Sequence, residues 1–255
     1  MIRLRAGAVW LSLAGLLAFA VFLVALLPAR LVYAWAAPPD IRAYFIDGTL
    51  VNGTAESLQV AGFDFGRTRW RLKPAELLRG RLGFALRAYR TDGFLKADVS
   101  VRPGATTAWI SALEAELPLS IGQALLPIEG VSGGIVLDFD EVRLREGWPD
   151  RLEGTFDIDK LVVTQPSVQH MGSYRVQFDT VAGAEDGGLT GVFQDTSGPL
   201  DVQGSVLIKE DRRFRVHGRV LARDDAPAQF NETLELLLGP AAADGRRSFS
   251  FGGRL

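Results

Sequence analysis

Arg67-Thr68-Arg69-Trp70-Arg71-Leu72-Lys73 alternates without a break. Successive side chains of a strand point to opposite faces. Arg67, Arg69, Arg71 and Lys73 therefore share one face, and Thr68, Trp70 and Leu72 share the other. The segment is predicted to be a half-buried strand. The same alternation recurs outward from it. Leu58-Gln59-Val60 and Phe63-Asp64-Phe65 precede it, and Leu82, Phe84, Leu86 and Ala88 follow. Farther on come Ile135, Leu137 and Phe139; Phe156 and Ile158; Tyr174, Val176 and Phe178; Phe214 and Val216; and Phe249 and Phe251. Gly or Pro lies near most of these runs, which marks turns between short strands of an antiparallel sheet.

Gly makes up 28 of the 255 residues, above the usual share of about 7%. A Gly followed by an alternating strand recurs at Gly80-Arg81-Leu82, Gly134-Ile135-Val136 and Gly204-Ser205-Val206. That unit suggests a meander in which each strand pairs with its neighbour in sequence. Residues 106–117 fit either a helix or a strand, and the strand is preferred. Helices are few. Asp225-Ala226-Pro227 starts a run with Phe230, Leu234, Leu237 and Leu238 on one face, and Gly239-Pro240 stops it. Residues 120–126 read as a second short helix, and residues 74–78 as one turn.

Residues 6–27 hold no charge and are dense in Leu, Ala, Val and Phe. A helix of that length is about 33 Å long, which matches a hydrocarbon core of about 30 Å. A helix satisfies its own backbone in lipid. Arg3 and Arg5 precede the run and favour a cytoplasmic N-terminus, with Arg30 weakly opposed. The expected order is a cytoplasmic tail at 1–5, a transmembrane helix at 6–27, a membrane-proximal linker at 28–40 and a β-rich domain at 41–255 outside the cytoplasm. Pro28 ends the helix. Tyr33 and Trp35 suit the membrane–water interface, and Pro38-Pro39-Asp40 forms a stiff exit. Ala34-Trp35-Ala36 has the small-x-small pattern of a signal-peptide cleavage site. However, the apolar run exceeds the ~7–15 residues of a signal h-region, so an uncleaved anchor is the preferred reading.

The formal net charge is −2, and beyond Arg30 the chain carries 25 basic against 30 acidic residues. No basic footprint for nucleic acid is present. There is no cysteine, so disulfides are excluded. Catalytic patterns are weak. Gly130-Val131-Ser132-Gly133-Gly134 fits G-x-S-x-G, but an alternating strand follows where a nucleophile elbow needs a strand-to-helix turn. His170 and His217 stand in no metal-binding spacing. Asp138 with Asp140, and Asp157 with Asp159, each share a strand face, which suits a solvated face better than a cation site. Asn52-Gly53-Thr54 reads as a turn, and Asn231-Glu232-Thr233 lies in the expected C-terminal helix; neither is read as a glycosylation site. No catalytic, cofactor-binding or metal residue is assigned. The most informative polar feature is the basic stretch 67–90, with Arg67, Arg69, Arg71 and Lys73 as a possible interaction surface for anionic headgroups or an acidic partner.

In this order along one anchored chain, the motifs resemble the type II secretion system protein N family. The resemblance rests on Gly48-Thr49-Leu50, Gly53-Thr54-Ala55, Trp70-Arg71-Leu72-Lys73-Pro74 with Leu77-Leu78, and Leu117-Pro118-Leu119. It continues through Gly172-Ser173-Tyr174, Gly198-Pro199-Leu200, Leu238-Gly239 and Phe249-Ser250-Phe251-Gly252-Gly253. Val51 stands where that family often has Trp. The resemblance implies a single-pass inner-membrane protein of Gram-negative bacteria with a periplasmic domain. That protein would be a non-enzymatic accessory to export of folded proteins across the outer membrane, contacting secretion-platform proteins and membrane lipids.

The expected fold is mainly β: one N-terminal transmembrane helix, then a curved, mostly antiparallel sheet with a few short helices, the C-terminal one lying on its apolar face. The rival reading is lipid binding or transfer along that face, similar in plan to AsmA-like proteins.

Overall fold

The computed structural model of the chain describes residues 26–37, 40–60, 62–124, 130–165, 167–179 and 188–254, with Trp10, Ser12, Gly15, Leu16, Ala18, Phe19, Phe22, Leu23 and Ala25 before them. Sixteen strands are labelled in chain order. They are β1 (Ile41–Tyr44), β2 (Asp47–Gly48), β3 (Asn52–Ala55), β4 (Ser57–Val60), β5 (Phe63–Asp64), β6 (Arg67–Leu72), β7 (Leu82–Arg90) and β8 (Gly93–Val101). After them come β9 (Thr107–Pro118), β10 (Val131–Arg145), β11 (Trp148–Val163), β12 (Gln169–Asp179), β13 (Gly188–Ser197), β14 (Leu200–Lys209), β15 (Arg213–Ala222) and β16 (Arg247–Arg254). The helices labelled among the described residues are α1 (Ala29–Ala36), α2 (Pro74–Leu77) and α3 (Ala228–Leu238), and a 3₁₀ segment spans Leu119–Ala124.

Thirteen strands form one sheet in the order β16 back through β6, then β3 and β2. Every pair is antiparallel, so the meander expected from the sequence is the architecture. β1, β4 and β5 make a separate three-stranded sheet. Residues 106–117 are strand, as preferred. The segment expected as a helix at 120–126 is a 3₁₀ turn as far as Ala124, and its remainder lies outside the described residues. The segment expected as a linker, 28–40, holds α1, with Pro28 at its N-cap, where a missing N–H costs nothing. One reading is corrected. Asn52-Gly53-Thr54, read as a turn, lies in β3, paired with Arg71, Trp70 and Arg69.

Among the described residues, no helix is long and apolar enough to cross a membrane. Much of 6–27 lies outside them; its described members from Trp10 to Ala25 are helical. Trp10, Leu16, Phe19 and Phe22 are each at least 65% exposed.

The register explains how one face becomes apolar. Ala115, Leu137, Phe156, Val176 and Phe193 are successive cross-strand neighbours, and Gly204, Gly218 and Phe249 continue the row. Gly204 and Gly218 leave room for aromatic rings. A Cβ on Gly204 would lie 2.4 Å from the Phe193 ring, and one on Gly218 would lie 2.4 Å from the Phe249 ring. The two rings stack above these glycines with centroids 6.2 Å apart. Trp70 lies over Gly53 in the same manner. The high glycine content thus serves packing within strands as well as turns.

Register shifts near Phe139/Glu141 and Ile158/Leu161 are β-bulges, which bend strands and increase their twist. Gly172 sits at the second bulge with φ +89°, where a Cβ would meet the Ser197 carbonyl at 1.9 Å.

Helices cover both ends of the apolar face. Phe230 of α3 is buried with Leu200, Val220 and Ala222, flanked by Leu234, Leu238 and Phe249. Gly239 ends α3 with φ +79°, and the buried Arg247 donates its Nε–H to the Gly239 carbonyl at 3.0 Å. A cation there complements the helix C-terminus. At the other end, α1 and the small sheet lie over β6 and β7. A cavity of about 280 Å³ remains between them, lined by Val32, Ile41, Leu58, Trp70, Phe84 and Leu86 among others.

Candidate interaction surface

Strand β6 places the basic residues. Thr68 is buried at 2% exposure, and Trp70 turns to the same side with its indole N–H donating to the Thr49 carbonyl at 3.2 Å. This bond ties the Trp70 segment to the Gly48-Thr49-Leu50 turn. Arg67, Arg69 and Arg71 consequently face outward and are exposed.

Their environments differ. Arg67 donates to Glu56 through two nitrogens at 3.0 and 2.7 Å. Lys73 pairs with Asp98 at 2.5 Å. Arg69 and Arg71 make no ion pair among the described residues. Arg87, directly opposite Arg69 on β7, is exposed and likewise without one. The other basic residues of the stretch are engaged. Arg79 pairs with Glu76 at 2.8 Å, and Arg81 stacks on the Trp109 ring at 3.9 Å. Arg90 bonds Asp92 at 2.7 Å and the Asp64 carbonyl. Its guanidinium holds the Asp92 carboxyl below the ordinary carboxylate range.

Three open arginines therefore remain of the eight cations in the stretch 67–90. Arg69, Arg71 and Arg87 line a groove of about 350 Å³ with Asn52, Thr54 and Tyr89. The groove offers guanidinium forks beside an amide, a hydroxyl and a phenol. That set suits carboxylates or phosphates, which accept paired N–H donors. The assignment of Arg67, Arg69, Arg71 and Lys73 from alternation alone resolves into two open groups and two paired ones. Arg87 belongs to the basic stretch 67–90 but not to the four residues that alternation singles out, because it becomes a neighbour of Arg69 only once β6 and β7 are paired. The positive field ends at β8, where Lys96 pairs with Glu114 at 3.0 Å. Beyond it the same face turns acidic at Glu114 and Asp138, which are cross-strand neighbours.

The residues weighed for catalysis do not converge. Ser132 lies inside β10, without a strand-to-helix turn. Val162 stands between Ser132 and His170 in the ladder, two strand spacings or about 9.6 Å across. That is too far for proton transfer without intermediaries. His217 lies on β15, opposite Ser205 and Ser250. Asp157 is engaged by Arg175 at 2.8 and 2.6 Å. Among the described residues, no group of three His, Asp or Glu side chains could hold a metal ion.

The family model for type II secretion system protein N matches residues 40–250, which includes the whole groove. The chain belongs to the type II secretion system protein N family. It is thus a type II secretion component. No curated protein and no solved structure matches the chain. The match spans β1 to β15, α3 and the first half of β16, so the meander with its basic end is what the family model covers.

Proposed function

We propose that this protein is an accessory inner-membrane component of the type II secretion system. In this reading residues 6–27 anchor it, the sheet lies in the periplasm, and Arg69, Arg71 and Arg87 contact an acidic surface of a platform protein. The carrying observation is selective neutralisation: among the described residues, Arg67, Lys73, Arg79 and Arg90 have internal carboxylate partners, whereas these three do not. Groups left open on a rigid sheet are available to a partner without breaking internal bonds. The attachment of the chain after residue 26 supports the placement. The Leu50 N–H donates to the Leu27 carbonyl at 3.0 Å, and Pro28 bridges to Thr49. The Tyr33 hydroxyl donates to the Ile41 carbonyl and accepts from the Ala43 N–H, each at 3.0 Å. An anchor ending there holds the basic end of the sheet close to the membrane. No bond-making step is assigned to the protein.

The test is co-purification of platform proteins with the full chain from solubilised inner membranes. The R69E/R71E/R87E variant is expected to lose the platform proteins while retaining its circular dichroism. Unchanged recovery contradicts the reading. The interaction is also expected to weaken with added salt, because exposed charges are screened over about 8–10 Å at physiological ionic strength.

A second reading, lipid binding, is supported by the apolar cavity beneath α1 and by the aromatic face. Mass spectrometry of the purified protein separates the two. Stoichiometric phospholipid with no platform partner favours the second, and platform partners without lipid favour the first.

A further inference from the structure

The sheet ends differently on its two sides. At one end β2 contributes only two residues, Asp47 and Gly48. At the other, β16 runs for eight residues and pairs along one side with β15. Among the described residues, nothing pairs with its outer side. Native proteins blunt such edges with Lys, Pro, bulges or brevity. Between its terminal arginines, β16 reads Ser-Phe-Ser-Phe-Gly-Gly, with no Pro and no charge. Its pairing with β15 is continuous in register from Arg247 to Arg254. Phe251 is 56% exposed and stacks on Phe249, with centroids 6.2 Å apart.

We propose that β16 is a self-association edge, pairing antiparallel with β16 of a second copy across a two-fold axis at Ser250. The register follows from the pleat. A one-residue slip flips side chains to the other face, so the residue numbers of opposed positions must sum to an even value. With Ser250 opposite Ser250, Phe249 meets Phe251 of the second copy twice, and Arg247 meets Gly253. Apolar rings thus extend the apolar face and hydroxyls meet on the polar face, while Arg254 falls opposite Arg246, whose guanidinium is held by Asp201 at 3.1 and 2.6 Å. Shifting the axis to Phe249 sets Arg247 against Phe251, and shifting it to Phe251 sets Phe249 against Gly253. Each keeps one aromatic pair, Phe249 with Phe249 or Phe251 with Phe251, where the Ser250 axis gives two. The axis stands perpendicular to the sheet, so the apolar faces of both copies lie on one side, with α3 of each beyond its own aromatic pair.

The chain has no cysteine, which makes the test direct. Ser250→Cys in the full chain places two thiols directly across the strands, within the ~4.4–6.8 Å Cα separation of a disulfide. Ser248→Cys, on the same strand and face, lies four residues from its own copy, about 13 Å away. Under mild oxidation the Ser250→Cys protein is expected to shift from a 27.7 kDa band to one of twice that mass, and the Ser248→Cys protein is not. Adding Phe251→Lys to Ser250→Cys is expected to abolish the shift with circular dichroism unchanged. Equal cross-linking of the two single variants, no cross-linking of the Ser250→Cys protein, or its capture by a different protein overturns the proposal.

Discussion

Arg67 and Arg69 stand two residues apart on one strand face and have different electrostatic situations. Arg67 is held in a two-nitrogen contact with Glu56, and Arg69 faces solvent beside Arg87. Residue type and alternation could not separate them, because Glu56 reaches Arg67 from another segment. Glycine positions show the same dependence on pairing. Gly204 is opposed by Gly218 and covered by the Phe193 ring. Gly204→Val is expected to destabilise the protein by about 1–3 kcal/mol through overpacking, read as a lower urea midpoint. Tyr174 supplies a pH-dependent case. Its hydroxyl donates to the Met171 carbonyl at 2.7 Å. Burial, then the nearby Asp195 charge, pushes its pKa up to about 12, with Arg223 opposing. The ordinary value is about 10, so the folded protein holds this proton more tightly than the unfolded chain. Its contribution is complete below about pH 10 and is lost as pH rises through about 12. Tyr174→Phe is expected to flatten the stability–pH curve in that window, as measured by urea titrations at successive pH values.

At the scale of elements, α3 closes one end of the apolar face through Phe230. Phe230→Ala is expected to cost about 3–5 kcal/mol, with loss of cooperative unfolding of the β14–β16 end in hydrogen exchange. This helix was legible because Pro227 and Gly239 bracket an apolar stripe, and both sit at its caps. Strands β6, β7, β10 and β12 were legible from clean alternation. β8 and β13 were not singled out, for a physical reason. Phe94 and Leu95 are adjacent apolar residues on opposite faces, as are Val192 and Phe193, and Val192 is 60% exposed. An apolar residue on the solvated face erases the period of two. β1 to β3 contain two to four residues each, too few to show a period, whereas β4 and β5 were legible as the short alternating runs Leu58-Gln59-Val60 and Phe63-Asp64-Phe65. The candidate surface was half legible: its strand and the basic stretch came from the sequence, whereas the place of Arg87 beside Arg69 and the internal partners came only from the β6–β7 register and the ion pairs.

For the whole molecule, the meander follows from local connections, since antiparallel neighbours need only short turns. Among the described residues, its two ends carry different chemistry: open arginines at β6 and β7, and an unpaired strand edge at β16. The anchor reading makes a further commitment. N-terminal sequencing of the mature protein is expected to begin at or near Met1, and a start at Ala37 contradicts an uncleaved anchor. The most direct test of the central claim is extracellular activity of a type II-secreted enzyme in the native host. Cells carrying R69E/R71E/R87E are expected to retain that enzyme, folded, in the periplasm, while cells carrying R67E/K73E secrete it nearly as wild type. Full secretion by the triple variant at wild-type protein level contradicts the assignment of the basic groove.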